Sequence, residues 1–314
     1  MGPSWETIDF KVQTTEVDPT TQRIYANGNM QAHVVVSVRA IDPADNEPYH
    51  LTQDELNSIM LVDLDGPLKP LSSPCGASFD ENIYDHKMTG SGSKQYQALD
   101  TAETPKEGFD KVSFWVTTAR VESKNIGVQI RQPGGAMVDT SGADDFDSHV
   151  TLVGVAPRPI SFEDLRLSGE TEIHREESWR QANFYLSIRD REVRYMECPG
   201  LENAIDDHEI ASFQDCGFSD FVMATNFFCW PPGERRTVTL HTRDLGDIPS
   251  IINQEKNHGC LTRVSMTYTG QDHGHALWVE GELTVYDQCG TAGSCYPKYP
   301  NRLYLELSKW QYQG

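Results

Sequence analysis

The chain has 314 residues, 38% of them apolar and 23% charged, and a formal net charge of −21. That length suits two domains, the composition is that of a folded globular chain, and acidity without any basic run argues against direct nucleic-acid binding and against attraction to anionic lipid. No apolar run approaches the roughly 18 residues of a membrane helix, and the opening Met1-Gly2-Pro3-Ser4-Trp5-Glu6 has neither the basic nor the apolar stretch of a secretory leader.

The clearest element is Met30–Ala40. Met30, Ala32, Val34, Val36, Val38 and Ala40 share one face, and Gln31, His33, Val35, Ser37 and Arg39 share the other. This period of two marks a half-buried antiparallel strand. Asn27-Gly28 before it and Asp42-Pro43-Ala44-Asp45-Asn46 after it are turn chemistry. Thr52-Gln-Asp-Glu55 is a capping box and predicts a short helix that ends before Met60. Strands are expected again at Met60–Asp63, Val112–Thr118, Ile126–Ile130 and Val150–Val155, with the polar stretch from Thr89 to Gly108 as a long loop.

Ala156-Pro-Arg-Pro159 is the expected boundary, since two prolines stiffen a connector and cannot donate to a ladder. Beyond it, Ala182–Ile188 and Glu192–Met196 read as a hairpin around Arg189-Asp190-Arg191. Phe221–Trp230, Arg236–His241, Leu261–Thr269, His275–Tyr286 and Arg302–Leu307 read as further strands. A helix is expected over Pro249–Asn257, with Pro249 in its first turn and Gly259 just past its end. The expectation is an all-β protein of two β-sandwich-type domains with one or two short helices, residues 1–156 and a cysteine-rich sandwich or barrel-like domain over 160–314.

The unit Val36-Ser-Val-Arg-Ala-Ile-Asp-Pro-Ala-Asp-Asn-Glu-Pro48 resembles the strand-and-turn motif of bacterial immunoglobulin-like domains. Ala44-Asp45-Asn46 stands where that family usually has Asp-Gly-Asn. The resemblance covers about a dozen residues well and the rest of 24–155 by strand count alone. It implies a sandwich of the kind used in adhesin stalks and phage tails, and it implies fold more than function.

Six of the seven cysteines lie between Cys198 and Cys295. None stands in a C-x2-C pair, so the usual structural zinc site is not expected. Disulfides and buried thiols both fit the count, and Cys289-Gly-Thr-Ala-Gly-Ser-Cys295 is a segment that a disulfide could close.

For a divalent metal, two sets of residues are candidates. His273 and His275 would share one face of an extended strand with Glu280 nearby. Their spacing resembles the first motif of cupins, which bind Fe, Mn or Zn, although Thr267 replaces the expected glycine and no histidine follows for the second motif. Asp144, Asp145 and Asp147 form an acidic loop of the kind that supplies oxygens to calcium. Exposed polar residues and a solvated turn are the plainer readings of both. No nucleophile elbow occurs, and His258-Gly-Cys260 brings a base near a thiol in sequence only, so no catalytic residue is assigned.

Aromatic residues suggest a binding surface instead. Trp278 lies in the second half, and Tyr296-Pro-Lys-Tyr299-Pro300 reads as a stiff aromatic loop suited to stacking against a partner. The reading is therefore a non-enzymatic binding or structural protein, an attachment, delivery or virulence component of bacterial or phage origin that meets a protein or glycan surface outside the cytoplasm. Its rivals are a cupin-like metalloenzyme in the second domain and a β-rich pore-forming or insecticidal toxin.

Overall fold

The computed structural model describes residues 4–88, 108–143, 146–175, 179–198, 211–215, 223–242, 246–267, 282–301 and 304–309. The chain forms two compact units, Met1–Pro157 and Arg158–Gly314.

The first unit contains β1 (Glu6–Thr14), β2 (Thr21–Tyr25), β3 (Ala32–Ile41), β4 (Pro48–Tyr49), α1 (Gln53–Asn57), β5 (Met60–Asp63), β6 (Lys69–Pro70), β7 (Cys75–Ser78), β8 (Asp110–Thr118), β9 (Ser123–Arg131), β10 (Met137–Asp139) and β11 (Val150–Val155). One sheet runs β1-β3-β8-β7 with β4 on β3, and the other runs β2-β11-β9-β5-β6 with β10 on β9. The β2–β11 pair is parallel, whereas the neighbouring β9–β11 pair is antiparallel.

Period-two patterning builds this core. Ala32, Val34, Val36, Val38 and Ala40 of β3 are buried, with the intervening residues only half-buried. Phe10 and Val12 of β1, Phe114 and Val116 of β8, Ile126, Val128 and Ile130 of β9, and Leu152 of β11 are buried with them. The Asp42–Glu47 turn closes as its residue types dictate. The Asp42 carboxylate accepts from Ala44 N at 2.9 Å, and Asn46 takes a left-handed φ of 62°.

The α1 helix has its capping box. Glu55 N donates to the Thr52 hydroxyl, and the Glu55 carboxylate accepts from Thr52 N at 2.8 Å. That carboxylate also accepts from the buried Trp5 indole N–H at 2.6 Å, which ties the helix to β1. Burial by itself would raise the Glu55 pKa; the bonds from Thr52, Trp5 and Tyr49 outweigh it and hold the carboxyl below its ordinary value.

The second unit contains β12 (Leu165–Leu167), β13 (Thr171–Arg175), β14 (Trp179–Ile188), β15 (Val193–Glu197), β16 (Ala211–Asp215), β17 (Met223–Trp230), β18 (Arg236–Thr242), β19 (Gly246–Ile252), β20 (Gly259–Thr267), β21 (Leu283–Asp287), β22 (Ala292–Asn301) and β23 (Tyr304–Ser308). A sheet β12-β14-β20-β17-β16, with β13 on β14, accompanies a sheet β15-β21-β22-β23 and the two-stranded ribbon β18–β19. One core gathers Leu165, Phe184, Leu186, Leu261, Leu283, Val285 and Leu305 with three cysteines. A second gathers Tyr185, Phe228, Trp230 and Val264 with Ile248 and Ile252 of the ribbon. The strand β14 is therefore covered on both faces.

Polar side chains fix the ribbon in place. Gln181 Nε2 and Asn183 Nδ2 both donate to the Ile251 carbonyl, at 2.7 and 2.9 Å, and Ile251 N donates back to Gln181 Oε1 at 3.1 Å. The Thr262 hydroxyl donates to Asn183 Oδ1 at 2.8 Å and accepts from the Trp230 indole at 3.0 Å. The side chains of Gln181, Asn183, Thr262 and Trp230 thus satisfy one another and the ribbon backbone, while the Ser250 hydroxyl of β19 is buried without a partner among the described residues.

Three expected elements differ. Pro249 lies in β19, opposite Thr239, and the helix over 249–257 is absent. A ribbon edge tolerates proline because one side of each strand has no ladder partner. The segments around Arg189–Arg191 make a tight turn but no hairpin, since β14 pairs with β20 and β15 pairs with β21. Tyr296-Pro-Lys-Tyr-Pro300 is not a loop; it lies in β22, with Tyr296 opposite Ser308 of β23. The expected loop over 89–108 lies outside the described residues except for Gly108.

Candidate functional site

In the first unit, the outward residues of β3 and β8 meet in register. His33 sits opposite Trp115, Val35 opposite Ser113 and Ser37 opposite Lys111. On the far side of β8, Trp115 also faces Ser78 of β7. The His33 imidazole stacks on the Trp115 indole, with centroids 4.4 Å apart and planes 15° from parallel.

The chain after β7 completes the cluster. The buried Gln31 side chain donates to the Asp80 carbonyl at 3.1 Å and accepts from Asn82 N at 2.8 Å. Asn82 Nδ2 donates to the Asn29 carbonyl at 2.6 Å. Pinned in this way, the segment brings the His86 ring to 4.5 Å from the indole centroid. His86 Nε2 and Glu81 Oε1 are 2.7 Å apart. The His86 Nδ1 is enclosed and has no hydrogen-bond partner.

Electrostatics act on His33. Burial lowers the His33 pKa, and His86 lowers it further, against the opposing pull of the Glu81 carboxylate. His33 is thus held towards the neutral form, while Glu81 fixes one nitrogen of His86. Phe79, about half exposed, packs on the core-facing Phe114, with ring centroids 4.9 Å apart. The result is an indole held between polar rings on a rigid sheet, with a carboxylate and hydroxyl groups around it. With both imidazoles against the indole, what the cluster offers a partner is ring edges, imidazole nitrogens and the Glu81 carboxylate, which can hydrogen-bond a polar ligand.

None of His33, Glu81, His86 or Trp115 was singled out from the sequence. A signal was available: Trp115 falls on the polar side of an alternating strand, opposite His33. His86 and Glu81 join through a non-repetitive segment whose path depends on Gln31.

The sequence-derived candidates are distributed differently. His273, His275, Glu280 and Trp278 lie outside the described residues, as do Asp144 and Asp145. Asp147 is exposed and bridges Ser141 in the loop before β11. Tyr296 is half-buried in β22, and Tyr299 lies further along the same strand. Among the described residues, no three His, Cys, Asp or Glu side chains gather into a metal-holding group.

His258 Nδ1 lies 2.7 Å from the Lys256 carbonyl, while the Cys260 sulfur is buried beside the Thr262 hydroxyl. Burial pushes the Cys260 pKa to about 11, opposite to what an activated thiolate needs. The acidic pair Asp63 and Asp65 closes on Lys124, whose ammonium is 2.9 and 3.5 Å from them. No helix among the described residues is long and apolar enough to cross a membrane.

No protein-family model matches the chain, and no curated protein matches it in sequence. Among solved structures it is similar to the C-terminal domain of the Streptococcus agalactiae AgI/II polypeptide BspA, at 9% identity over 91% of this chain and 97% of that one, with a TM-score of 0.22. It is similar also to the C-terminal domain of the Streptococcus pyogenes antigen I/II-family protein AspA, at 9% identity over 92% of this chain and 98% of that one, with a TM-score of 0.18. At those TM-scores too little of the shape is shared for any residue or role to be carried across.

Proposed function

We propose that this protein is a non-enzymatic recognition protein whose first unit binds a glycan through the outward face of β3 and β8 around Trp115. The observation that carries the reading is the Trp115 indole set between His33 and His86 on a sheet face, with Glu81 bonded to the outer imidazole. Sugars present a rim of hydroxyls, which the Glu81 carboxylate, the imidazole nitrogens and the polar edges of these rings match. The setting we propose is an exported bacterial or phage attachment component, which the immunoglobulin-like turn between β3 and β4 supports.

A glycan array probed with the full chain tests this. Retained glycans are then titrated against the protein and against Trp115→Ala, His86→Ala and Trp278→Ala variants, each checked for folding by circular dichroism. The expected result is at least a tenfold loss of affinity for Trp115→Ala and a smaller loss for His86→Ala, with Trp278→Ala unchanged. Retention of no glycan, or binding unaffected by Trp115→Ala, overturns the reading. Loss confined to Trp278→Ala would move the surface to the second unit.

A further inference from the structure

The outward face that carries Trp115 continues along β1, β3 and β8, and its far end is basic. One rung of the sheet reads Lys11, Ser37, Lys111, since Lys11 pairs with Ser37 and Ser37 with Lys111. The next rung towards the indole reads Gln13, Val35, Ser113, and the one beyond it sets His33 beside Trp115. On the other side of Lys11, Asp9 stands opposite Arg39. Lys11, Gln13, Lys111 and Ser113 are exposed, so the face between the lysines and the indole is open to solvent.

The charges on this face are not balanced locally. The Asp9 carboxylate is bonded to Lys11 Nζ at 3.0 Å, which occupies the acid of those rungs. Lys111 has no ion-pair or hydrogen-bond partner among the described residues. Arg39 is half-buried, with its Nε enclosed beside Gly108 and without a partner among the described residues. Asp110, the neighbour of Lys111, is engaged elsewhere, since its oxygens lie 3.1 Å from His50 Nδ1 and 2.8 Å from Leu51 N. Arg39 lies one step along β3 from Ser37 and so diagonal to Lys111, a separation of about 7–8 Å that long side chains bridge. Two uncompensated cations side by side stand out in a chain of net charge −21. They come from different strands, so no basic run marks them in the sequence.

We infer that this face takes an acidic oligosaccharide, with a sugar carboxylate seated at Lys111 and Arg39 and sugar hydroxyls at the Trp115 cluster. The inference rests on the glycan reading above and adds the ligand's charge and direction. Glu81, beside His86, repels an anion at the indole end, whereas the cations attract one at the other. Trp115 and Lys111 are four residues apart on one strand, about 13 Å, so a chain of several sugars engages both ends and a single sugar does not. A carboxylate is the acid that fits, because the planar guanidinium of Arg39 pairs with its two oxygens while Lys111 adds a point charge.

The test probes the full chain on an array that holds carboxylate-bearing, sulfated and neutral glycans. The best-retained carboxylate glycan and its methyl ester are then titrated at low and high salt. Retention should concentrate in the carboxylate set, and methyl esterification should weaken binding at least about tenfold, the scale of a hydrogen bond to a charged group. Lys111→Gln should weaken it about threefold, the scale of an exposed charge pair. Lys111→Glu should weaken it further, and both variants should flatten the salt dependence. Lys256→Gln, at an exposed lysine of the second unit, should change nothing. Lys111 is exposed, so its variants keep the test open even where Arg39→Gln fails to fold. Retention confined to neutral or sulfated glycans overturns the acidic assignment. So does an affinity indifferent to esterification and to Lys111→Glu; if Trp115→Ala still abolishes binding, the Trp115 surface stands without it. Retention of no glycan, or binding unaffected by Trp115→Ala, overturns both.

Discussion

Replacing Asp287 with alanine tests how the second unit is held together. The Asp287 Oδ2 is 2.7 Å from Arg191 Nη1, and the side chains are 5% and 9% exposed respectively. Its Oδ1 accepts from Cys289 N at 2.9 Å and from Thr291 N at 2.8 Å. The carboxylate therefore shapes the β21–β22 turn and anchors the turn between β14 and β15. Alanine leaves a guanidinium without its counter-charge and removes the carboxylate acceptor of two backbone N–H groups. Removing one partner of a buried ion pair costs about 3–5 kcal/mol, a large part of a total stability of about 5–15 kcal/mol. Arg191 keeps its Nη2 bond to the Arg158 carbonyl at 2.9 Å, which favours the lower end of that range. Urea denaturation of the full chain, followed by far-ultraviolet circular dichroism, should show the loss as an earlier midpoint. Asp287→Asn, which retains an oxygen for the two N–H groups, should lose about half as much. A loss below about 1 kcal/mol for Asp287→Ala, the value of a surface pair, would refute the assignment of a buried structural pair.

One further substitution probes the first unit and one contrast probes both. Glu55→Gln should destabilise the protein by about 1–2 kcal/mol at neutral pH through the weakened cap and Trp5 bond. Because the folded Glu55 pKa lies below its unfolded value, the contribution is complete above the unfolded pKa and drains as the pH falls through the folded one. The gap between wild type and Glu55→Gln should therefore narrow progressively in denaturation curves taken as the pH falls below the ordinary glutamate pKa of about 4.3; an undiminished gap there would contradict the argument. A Cβ at Gly154 would overlap the Arg120 backbone carbonyl, whereas one at Gly259 would meet only the flexible end of Met196. Gly154→Ala should accordingly cost at least about 2 kcal/mol in thermal or chemical denaturation and Gly259→Ala clearly less; equal losses would count against the distinction.

The parts of the fold that can be read from the sequence are those with one dry and one wet face. In β3, the alternation from Ala32 to Ala40 is the burial pattern itself, whereas Gln31 just before it is buried, and Thr52-Gln-Asp-Glu55 forms the cap that its residues imply. The second unit is harder because β14 is dry on both sides. Gln181 and Asn183 look like surface residues by type, yet they are buried because Ile251 supplies their partners. The ribbon hides its own signal similarly: Ile248, Ser250 and Ile252 point inward, and the buried serine breaks the apolar period. With that pattern obscured, Pro249 reads as the start of a helix. The tight turn at Asp190 was also visible, but not its consequence. Arg191 is drawn to Asp287, some hundred residues later in the chain, and β15 joins β21 rather than folding back on β14.

The same reasoning explains why the candidate surface escaped a motif-based reading. Metal and catalytic motifs are sought as short spacings, but His33, Glu81, His86 and Trp115 come from two strands and an intervening segment. What unites them is sheet register, which places residues 33 and 115 side by side, and a buried glutamine that steers residues 80–82 past the same edge. The aromatic residue that matters is marked by its position, not by its local sequence. Trp115 occupies an outward place among Lys111, Ser113 and Thr117, where a large indole gains no core burial. His33 faces it from an equally outward place on β3. The imidazole–indole stack is thus built from residues that the folding pattern leaves free to be polar, and this is the physical reason to look for a ligand there.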